Sequence, residues 1–329
     1  MSKLTKRHHN FNIYVSIFTE MLLLDEIYNK RILFTALNWG AGHLSRSLPI
    51  INQLQQQGNA IVIFCTSNQE VIYRQYLNEI TYVRHEPYAF NFDHKGFNTW
   101  KFIRSIPDLA KSIKKERKAV SEYVLHHAFD IILSDQSFGF RHKRVPSILI
   151  THQLTLAVPW YLYLGQIMNQ WQIKKFNQVW VLDNERHEYA GNLSKSSLKH
   201  VVYIGIKSRF QLYKHMEQQD KSHNILVLNG PSAFTEFLLS SMNKEFNHIN
   251  VVIGKHESIA KTTLQVVNWK EADSHLLSAK TIYSYCGYST LMDVAVLGCQ
   301  WHCIPTPGQF EQLYLHKKTL TNQGFTKKL

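Results

Sequence analysis

The stretch from Arg31 to Gly58 constrains the fold of this chain more than any other. Arg31-Ile32-Leu33-Phe34-Thr35-Ala36 is an apolar run of strand length, and Leu48, Ile50, Ile51 and Leu54 then recur at helical spacing until Gly58. Between them lies Trp39-Gly40-Ala41-Gly42-His43-Leu44-Ser45-Arg46-Ser47. A continuous apolar strand, a glycine turn and an amphipathic helix form the opening unit of a parallel sheet covered by helices on both faces. Glycines let the backbone turn tightly and approach a ligand, and the free N–H groups at a helix start favour an anion. Two readings of the loop stay open. It is either a strand-to-helix turn with an incidental histidine, or a binding loop with His43 at its apex.

The pattern continues. Strands are expected at 31–36, 60–65, 130–134, 147–151 and 178–182, with helices at 46–57, 68–77 and 100–127. It restarts at Asn224-Ile225-Leu226-Val227-Leu228-Asn229-Gly230, followed by helices near 233–244, 271–279 and 289–297 and strands at 250–254 and 281–285. Residues 207–223 are polar and lack strong periodicity, which suits a linker. The organisation expected is α/β: two doubly wound, Rossmann-like domains with a cleft between them. Residues 31–206 make the first and 224–329 the second, after an extension (1–30) expected to be poorly ordered. Residues 1–10 are basic and polar, and the apolar run from Phe11 to Leu24, interrupted by Glu20, is too short to span a membrane; residues 1–20 read as a poorly ordered extension or as the product of an upstream start that is not used.

With 44% hydrophobic and 12% aromatic residues, the chain has the material for packed cores, which excludes a disordered protein. A net charge of +13 favours an anionic partner. Basic residues gather at Lys111, Lys114, Lys115, Arg117 and Lys118 and at Arg141, His142, Lys143 and Arg144. These runs read as solvated faces or as contacts with an anionic membrane. They lack the interleaved aromatics of a nucleic-acid surface, so no nucleic acid is expected. Cys65, Cys286, Cys299 and Cys303 have no paired zinc spacing and read as free cytosolic thiols. The stretch Leu154 to Met168, with Trp160, Tyr161 and Tyr163, reads either as helix packing or as an acceptor- or membrane-facing surface.

A second constellation lies at 281–293, Thr-Ile-Tyr-Ser-Tyr-Cys-Gly-Tyr-Ser-Thr-Leu-Met-Asp. Gly287 turns the chain out of a strand, and Ser289 and Thr290 stand at a helix N-terminus suited to a diphosphate. Asp293 reads as a ribose ligand, or as a charge serving the helix dipole. The loop Pro305-Thr306-Pro307-Gly308-Gln309-Phe310-Glu311-Gln312 clusters the carboxylate and amide groups that hydroxyl-rich ligands need. Asp135 follows a strand's C-terminal end, where α/β sheets place ligand contacts. It and His152 read as acceptor-side groups or as structural hydrogen-bond partners.

The loop Gly40-Ala41-Gly42-His43, the nest at 284–293 and the Pro-x-Pro…Glu-Gln loop, in that order, resemble GT-B glycosyltransferases of the MurG type (glycosyltransferase family 28). The resemblance covers about 31 to 320. It implies that the second domain binds a nucleotide sugar, UDP-linked in that family, and the first an acceptor, with no cofactor and no metal. His43 is then the base that deprotonates the acceptor hydroxyl, beside Gly40, Gly42 and Arg46. Gly287, Ser289 and Thr290 hold the diphosphate, Asp293 the ribose, and Glu311 and Gln312 the donor sugar, with Trp269 near the uracil. The acceptor implied is a hydroxyl, lipid-linked or part of a cell-envelope glycan, and the enzyme is cytoplasmic or peripheral on the inner membrane face. Cys286, Tyr288 and the short loop Asn229-Gly230-Pro231-Ser232 depart from the family pattern.

Two competitors come with this reading. Gly40 to Arg46 also resembles the loop of UDP-sugar hydrolases on the same fold, where the histidine orients a water; UDP-sugar epimerases share the fold too. From another class, the charge balance fits a non-catalytic nucleotide-sugar or polyanion-binding protein.

Overall fold

The computed structural model describes residues 21–85, 99–213, 220–242, 247–260 and 263–321. Two parallel sheets organise them. The first has seven strands in the order β3-β2-β1-β4-β5-β6-β7: β1 Arg31–Ala36, β2 Ala60–Cys65, β3 Thr81–Arg84, β4 Ile131–Asp135, β5 Ser147–Thr151, β6 Gln178–Val181 and β7 Val201–Tyr203. The second has five in the order β10-β9-β8-β11-β12: β8 His223–Val227, β9 Val251–Ile253, β10 Leu264–Val266, β11 Ala279–Tyr285 and β12 Gln300–Ile304. Every pairing is parallel, and each order reverses beside its first strand, so both sheets are doubly wound.

Alternation along the strands explains why they are apolar throughout. On β1, Ile32 and Phe34 enter one core while Leu33 enters another on the opposite face. On β8, Ile225 and Leu226 divide in the same way between two further cores. Helices cover both faces, so neither parity of side chain meets water.

Helix α1, Ala41–Gln56, begins five residues earlier than its apolar repeat indicates. Gly40, at φ 83°, is its N-cap, in the left-handed region that a residue with a Cβ rarely adopts. His43 and Arg46 are therefore neighbours one turn apart on a helix, not members of a loop. Helices α2 (Ser67–Tyr76), α3 (Thr99–His126), α4 (Tyr163–Ile173), α5 (Thr235–Ser241), α6 (Trp269–Leu277), α7 (Tyr288–Leu297) and α8 (Phe310–Thr321) complete the layers.

Three expectations change. Residues 21–30 are not a loose extension: Leu24 and Ile27 are buried in the first core. The Leu22 carbonyl accepts from Gln178 Nε2 at 2.7 Å and Trp180 Nε1 at 3.1 Å. These residues cover apolar surface beside β6 that would otherwise face water. Residues 1–20 and 214–219 of the expected linker lie outside the described residues. Second, the linker is not featureless, because Arg209 and Phe210 are buried within it. Third, Cys286 and Cys303 are not free thiols: they form a disulfide with Cα atoms 5.1 Å apart, since the ends of neighbouring strands bring them together. Cys65 and Cys299 are free and buried.

Candidate active site

The two units meet along the C-terminal edges of their sheets. The N-termini of α1 and α7 face each other there so closely that a Cβ added to Gly42 would stand 2.7 Å from Ser289 Oγ. Neither helix has a side-chain cap at its start. Their first-turn amides and positive dipole ends are thus directed into one cleft. Behind α7, Asn229 fixes the turn. Its Oδ1 accepts from the Tyr285 amide at 2.8 Å, and its Nδ2 donates to Thr290 Oγ1 at 3.0 Å.

A chain of charged and imidazole groups crosses the cleft. Arg46 forks onto Asp135 through Nε, at 2.7 Å, and through Nη2. Both side chains are buried. Arg46 Nη1 donates to His152 Nδ1 at 3.0 Å, and His152 Nε2 donates in turn to Glu311 Oε1 at 2.7 Å. The His152 ring stacks on Tyr288 with centroids 4.1 Å apart and planes 3° from parallel. The Tyr288 hydroxyl donates to the Leu182 carbonyl of the first unit.

His43 Nδ1 lies 3.1 Å from Asp135 Oδ1 and 2.8 Å from Arg46 Nη2. One ring nitrogen cannot donate to a carboxylate and accept from a guanidinium at once, so these contacts belong to opposite tautomers. Only the tautomer donating to Asp135 leaves Nε2 as a base. Burial, and then the adjacent Arg46 charge, lower the His43 pKa and outweigh the raising effect of Asp135. Burial alone would raise Asp135, but Arg46 and His43 overcome it and hold the carboxyl at about 2. The Glu311 carboxyl, opposed by burial, is lowered chiefly by His152. The site therefore presents a neutral imidazole beside the ionised Asp135 carboxylate.

Comparison with solved structures settles the architecture. The chain superposes on a glycotransferase of kitacinnamycin with a TM-score of 0.64 at 13% identity, covering 90% of this chain and 85% of that one. A Streptomyces sp. SF2575 glycosyltransferase, SsfS6, complexed with thymidine diphosphate, gives 0.58 at 11% identity over 89% and 86%. Phytolacca americana UGT2, complexed with UDP-2fluoro-glucose and pterostilbene, gives 0.59 at 12% identity over 90% and 84%. The fold is GT-B. No protein-family model and no curated protein matches the chain in sequence.

Within the GT-B frame, His43, Arg46, Asp135 and His152 converge on one side of the cleft, with Gly287, Ser289, Thr290 and Glu311 opposite. Glu311 and Gln312 occupy the first turn of α8, not an extended loop. Gln312 Oε1 is committed to the Thr306 amide at 2.8 Å, so it braces the loop.

Two expected donor residues are engaged elsewhere. Asp293 accepts from Ser208 Oγ at 2.6 Å and pairs with Arg209 Nη1 at 2.8 Å, so both oxygens serve the connection between the units instead of facing a ribose. Trp269 packs edge-on to Tyr76, centroids 6.4 Å apart, under the Arg209 guanidinium. The cause is Arg209 itself. Its Nε binds Asp273 at 2.6 Å and its Nη1 reaches Ser45 Oγ at 2.9 Å, gathering acids and aromatics around the connection between the units. Sequence reasoning missed Arg209, Asp273, Asn229 and Tyr288. Of these, Tyr288 and Asn229 carried a signal, since both stand where the chain departs from the family pattern.

Proposed function

We propose that the chain transfers a sugar from a nucleoside-diphosphate sugar to an acceptor hydroxyl, in the manner of MurG-type enzymes. The observation that carries this reading is the placement of His43, backed by Asp135, across from the uncapped N-terminus of α7. The donor diphosphate would lie on the first-turn amides of α7, with Ser289 and Thr290 hydroxyls at hand. The acceptor oxygen attacks the anomeric carbon while His43 Nε2 takes its proton. The anomeric C–O bond to the diphosphate breaks, and its electron pair leaves on the diphosphate. Helix-end dipoles stabilise that growing charge without reorganising. Asp135 orients the imidazole, and Arg46 keeps Asp135 ionised. Glu311 reaches the donor sugar's hydroxyls.

Uridine is the base proposed, on the family resemblance. A thermal-shift screen of nucleotide sugars tests it: stabilisation by UDP and its sugars, and not by ADP or GDP, is the expected result. Product analysis separates transfer from hydrolysis, since free sugar released without acceptor would point to a hydrolase. His43→Ala should retain nucleotide binding while transfer falls at least ~100-fold. Unchanged turnover would sink the assignment.

The acceptor we propose is lipid-linked, reached from the inner face of a membrane. Trp160, Tyr163, Leu164, Ile167 and Trp171 all project into solvent from α4 and the turn before it, with Trp160 87% and Leu164 74% exposed. Beside them, burial, and then the nearby charges of Arg141 and Arg117, lower the Lys175 pKa to about 8. Lys175 Nζ also sits over the Trp171 ring at 2.7 Å. Aromatics and cations so arranged suit an anionic interface. Among the described residues no helix is long and apolar enough to cross a membrane. Co-sedimentation with vesicles of anionic phospholipid, lost in Trp160→Ala/Leu164→Ala, is the expected result. Equal sedimentation of both proteins would refute it.

A further inference from the structure

The turn that delivers α7 into the cleft rests on a cluster that the proposed reaction leaves unused. Cys286 follows β11, Cys303 lies on β12 and His316 projects from α8. Their ligand atoms all fall within 4.8 Å of one another, and among the described residues no other three His, Cys, Asp or Glu side chains do so. The disulfide engages only two of the three. His316 Nδ1 lies 3.6 Å from Cys286 Sγ and 4.0 Å from Cys303 Sγ, aimed at both sulfurs. Among the described residues it has no other hydrogen-bond partner.

Two cysteine sulfurs and one imidazole nitrogen, brought from three separate elements, make a donor set for a borderline-soft divalent cation. Zn2+ takes such ligands at three corners of a tetrahedron and leaves the fourth to water. We infer that the reduced chain binds a Zn2+-class cation through Cys286 Sγ, Cys303 Sγ and His316 Nδ1. A dithiol reductant breaks the S–S bond by supplying two electrons and two protons, and becomes a disulfide itself. The two cysteine thiols then lose their protons to solvent as the metal binds.

Metal and disulfide are thus alternative staples for one turn, and the cation adds a tie to α8 that the disulfide lacks. Because Cys286 directly precedes Gly287, either staple fixes where α7 begins. The inference is independent of the sugar-transfer reading, since it concerns metal uptake alone.

The test is Co2+ titration of the full chain, reduced with a dithiol, desalted and kept under argon, followed by Zn2+ displacement. About one Co2+ per chain, with the intense ligand-field bands of a tetrahedral thiolate site that bleach on adding Zn2+, is the expected result. The disulfide form should take up none. Cys286→Ser and Cys303→Ser should each at least halve the thiolate charge-transfer band, and His316→Ala should weaken uptake at least ~10-fold. Cys65→Ala/Cys299→Ala should leave the titration unchanged. The inference fails if the reduced, folded chain (checked by circular dichroism) takes up no Co2+, or if the thiolate spectrum survives in Cys286→Ser/Cys303→Ser.

Discussion

His152 Nε2 donates to Glu311 Oε1 at 2.7 Å, joining the end of a strand in one sheet to the first turn of a helix packed beside the other. That bond places the Glu311 carboxylate at the meeting point of the two units, within the field of Arg46 and His43. In the proposed reaction Glu311 exchanges this partner for a donor hydroxyl.

Glu311→Ala should therefore damage donor use more than folding. A hydrogen bond to a charged group contributes about 1.5–3 kcal/mol. That corresponds to roughly a 10- to 100-fold fall in kcat/KM for the nucleotide sugar. Steady-state kinetics with the donor varied check this, and an unchanged donor kcat/KM would remove Glu311 from the site.

The pH profile follows from the His43 environment. A base works deprotonated, and the lowered pKa of His43 keeps it neutral to below the ordinary histidine value of about 6.5. The acid limb of kcat/KM should accordingly fall below pH ~6.5, with activity flat above it until another group titrates. In Asp135→Asn the raising influence of the carboxylate is gone. The limb should then move lower still, while the maximal rate drops as the imidazole loses its orienting partner. A limb above neutrality would contradict the assignment.

Arg46→Met tests the buried pair. Removing one partner of a buried ion pair leaves the other uncompensated and costs about 3–5 kcal/mol. Asp135 would then titrate well above its present value of about 2. Today its depressed pKa adds stability that is present above the unfolded carboxyl value and is lost as pH falls toward 2. The variant should thus melt far earlier at neutral pH and lose much of that acid dependence. Calorimetry across pH measures both effects.

Gly42→Ala probes the contact between the helix ends. The new methyl would meet Ser289 Oγ at 2.7 Å, and overpacking of this kind costs about 1–3 kcal/mol. Ser289→Ala removes the hydroxyl, so the double variant should be less destabilised than the sum of the two changes. Strict additivity would mean that the helices do not meet as described.

Much of this fold was legible because its central strands are unambiguous. Those at 31–36, 60–65 and 147–151 have the expected bounds, since runs buried on both faces stay apolar whatever their neighbours do. The edge strands β3, β7 and β10 escaped. They are three or four residues long and none is wholly buried, so pairing defines them more than composition. At the site, glycine turns pointed to α1 and α7; Gly40 needs its φ of 83°, whereas Gly287, at φ −75°, sits in backbone that any residue adopts. The partners of Asp293 and Trp269 stayed hidden because Arg209 acts through tertiary contacts, and no local pattern marks an arginine destined for burial. The disulfide was illegible for a similar reason: Cys286 and Cys303 are 17 residues apart, and strand adjacency alone unites them.

The cluster around Arg209 has a consequence for how the two units would separate. Its guanidinium is bound to Asp273 and Asp293, while the first unit reaches this cluster through hydroxyls, Ser45 Oγ to Arg209 and the Tyr76 hydroxyl to Asp273 at 2.6 Å. If the halves part there, those two hydroxyls exchange protein partners for water at a net cost of about 1 kcal/mol each, and every ion pair travels intact. Besides Arg209, the cation that loses a first-unit partner in this cluster is Lys270, whose Nζ lies 4.4 Å from the centre of the Tyr76 ring. The polar part of this contact is therefore cheap to break, and what holds the halves together there is apolar: Met292 and Tyr288 of the second unit are buried in the core of the first.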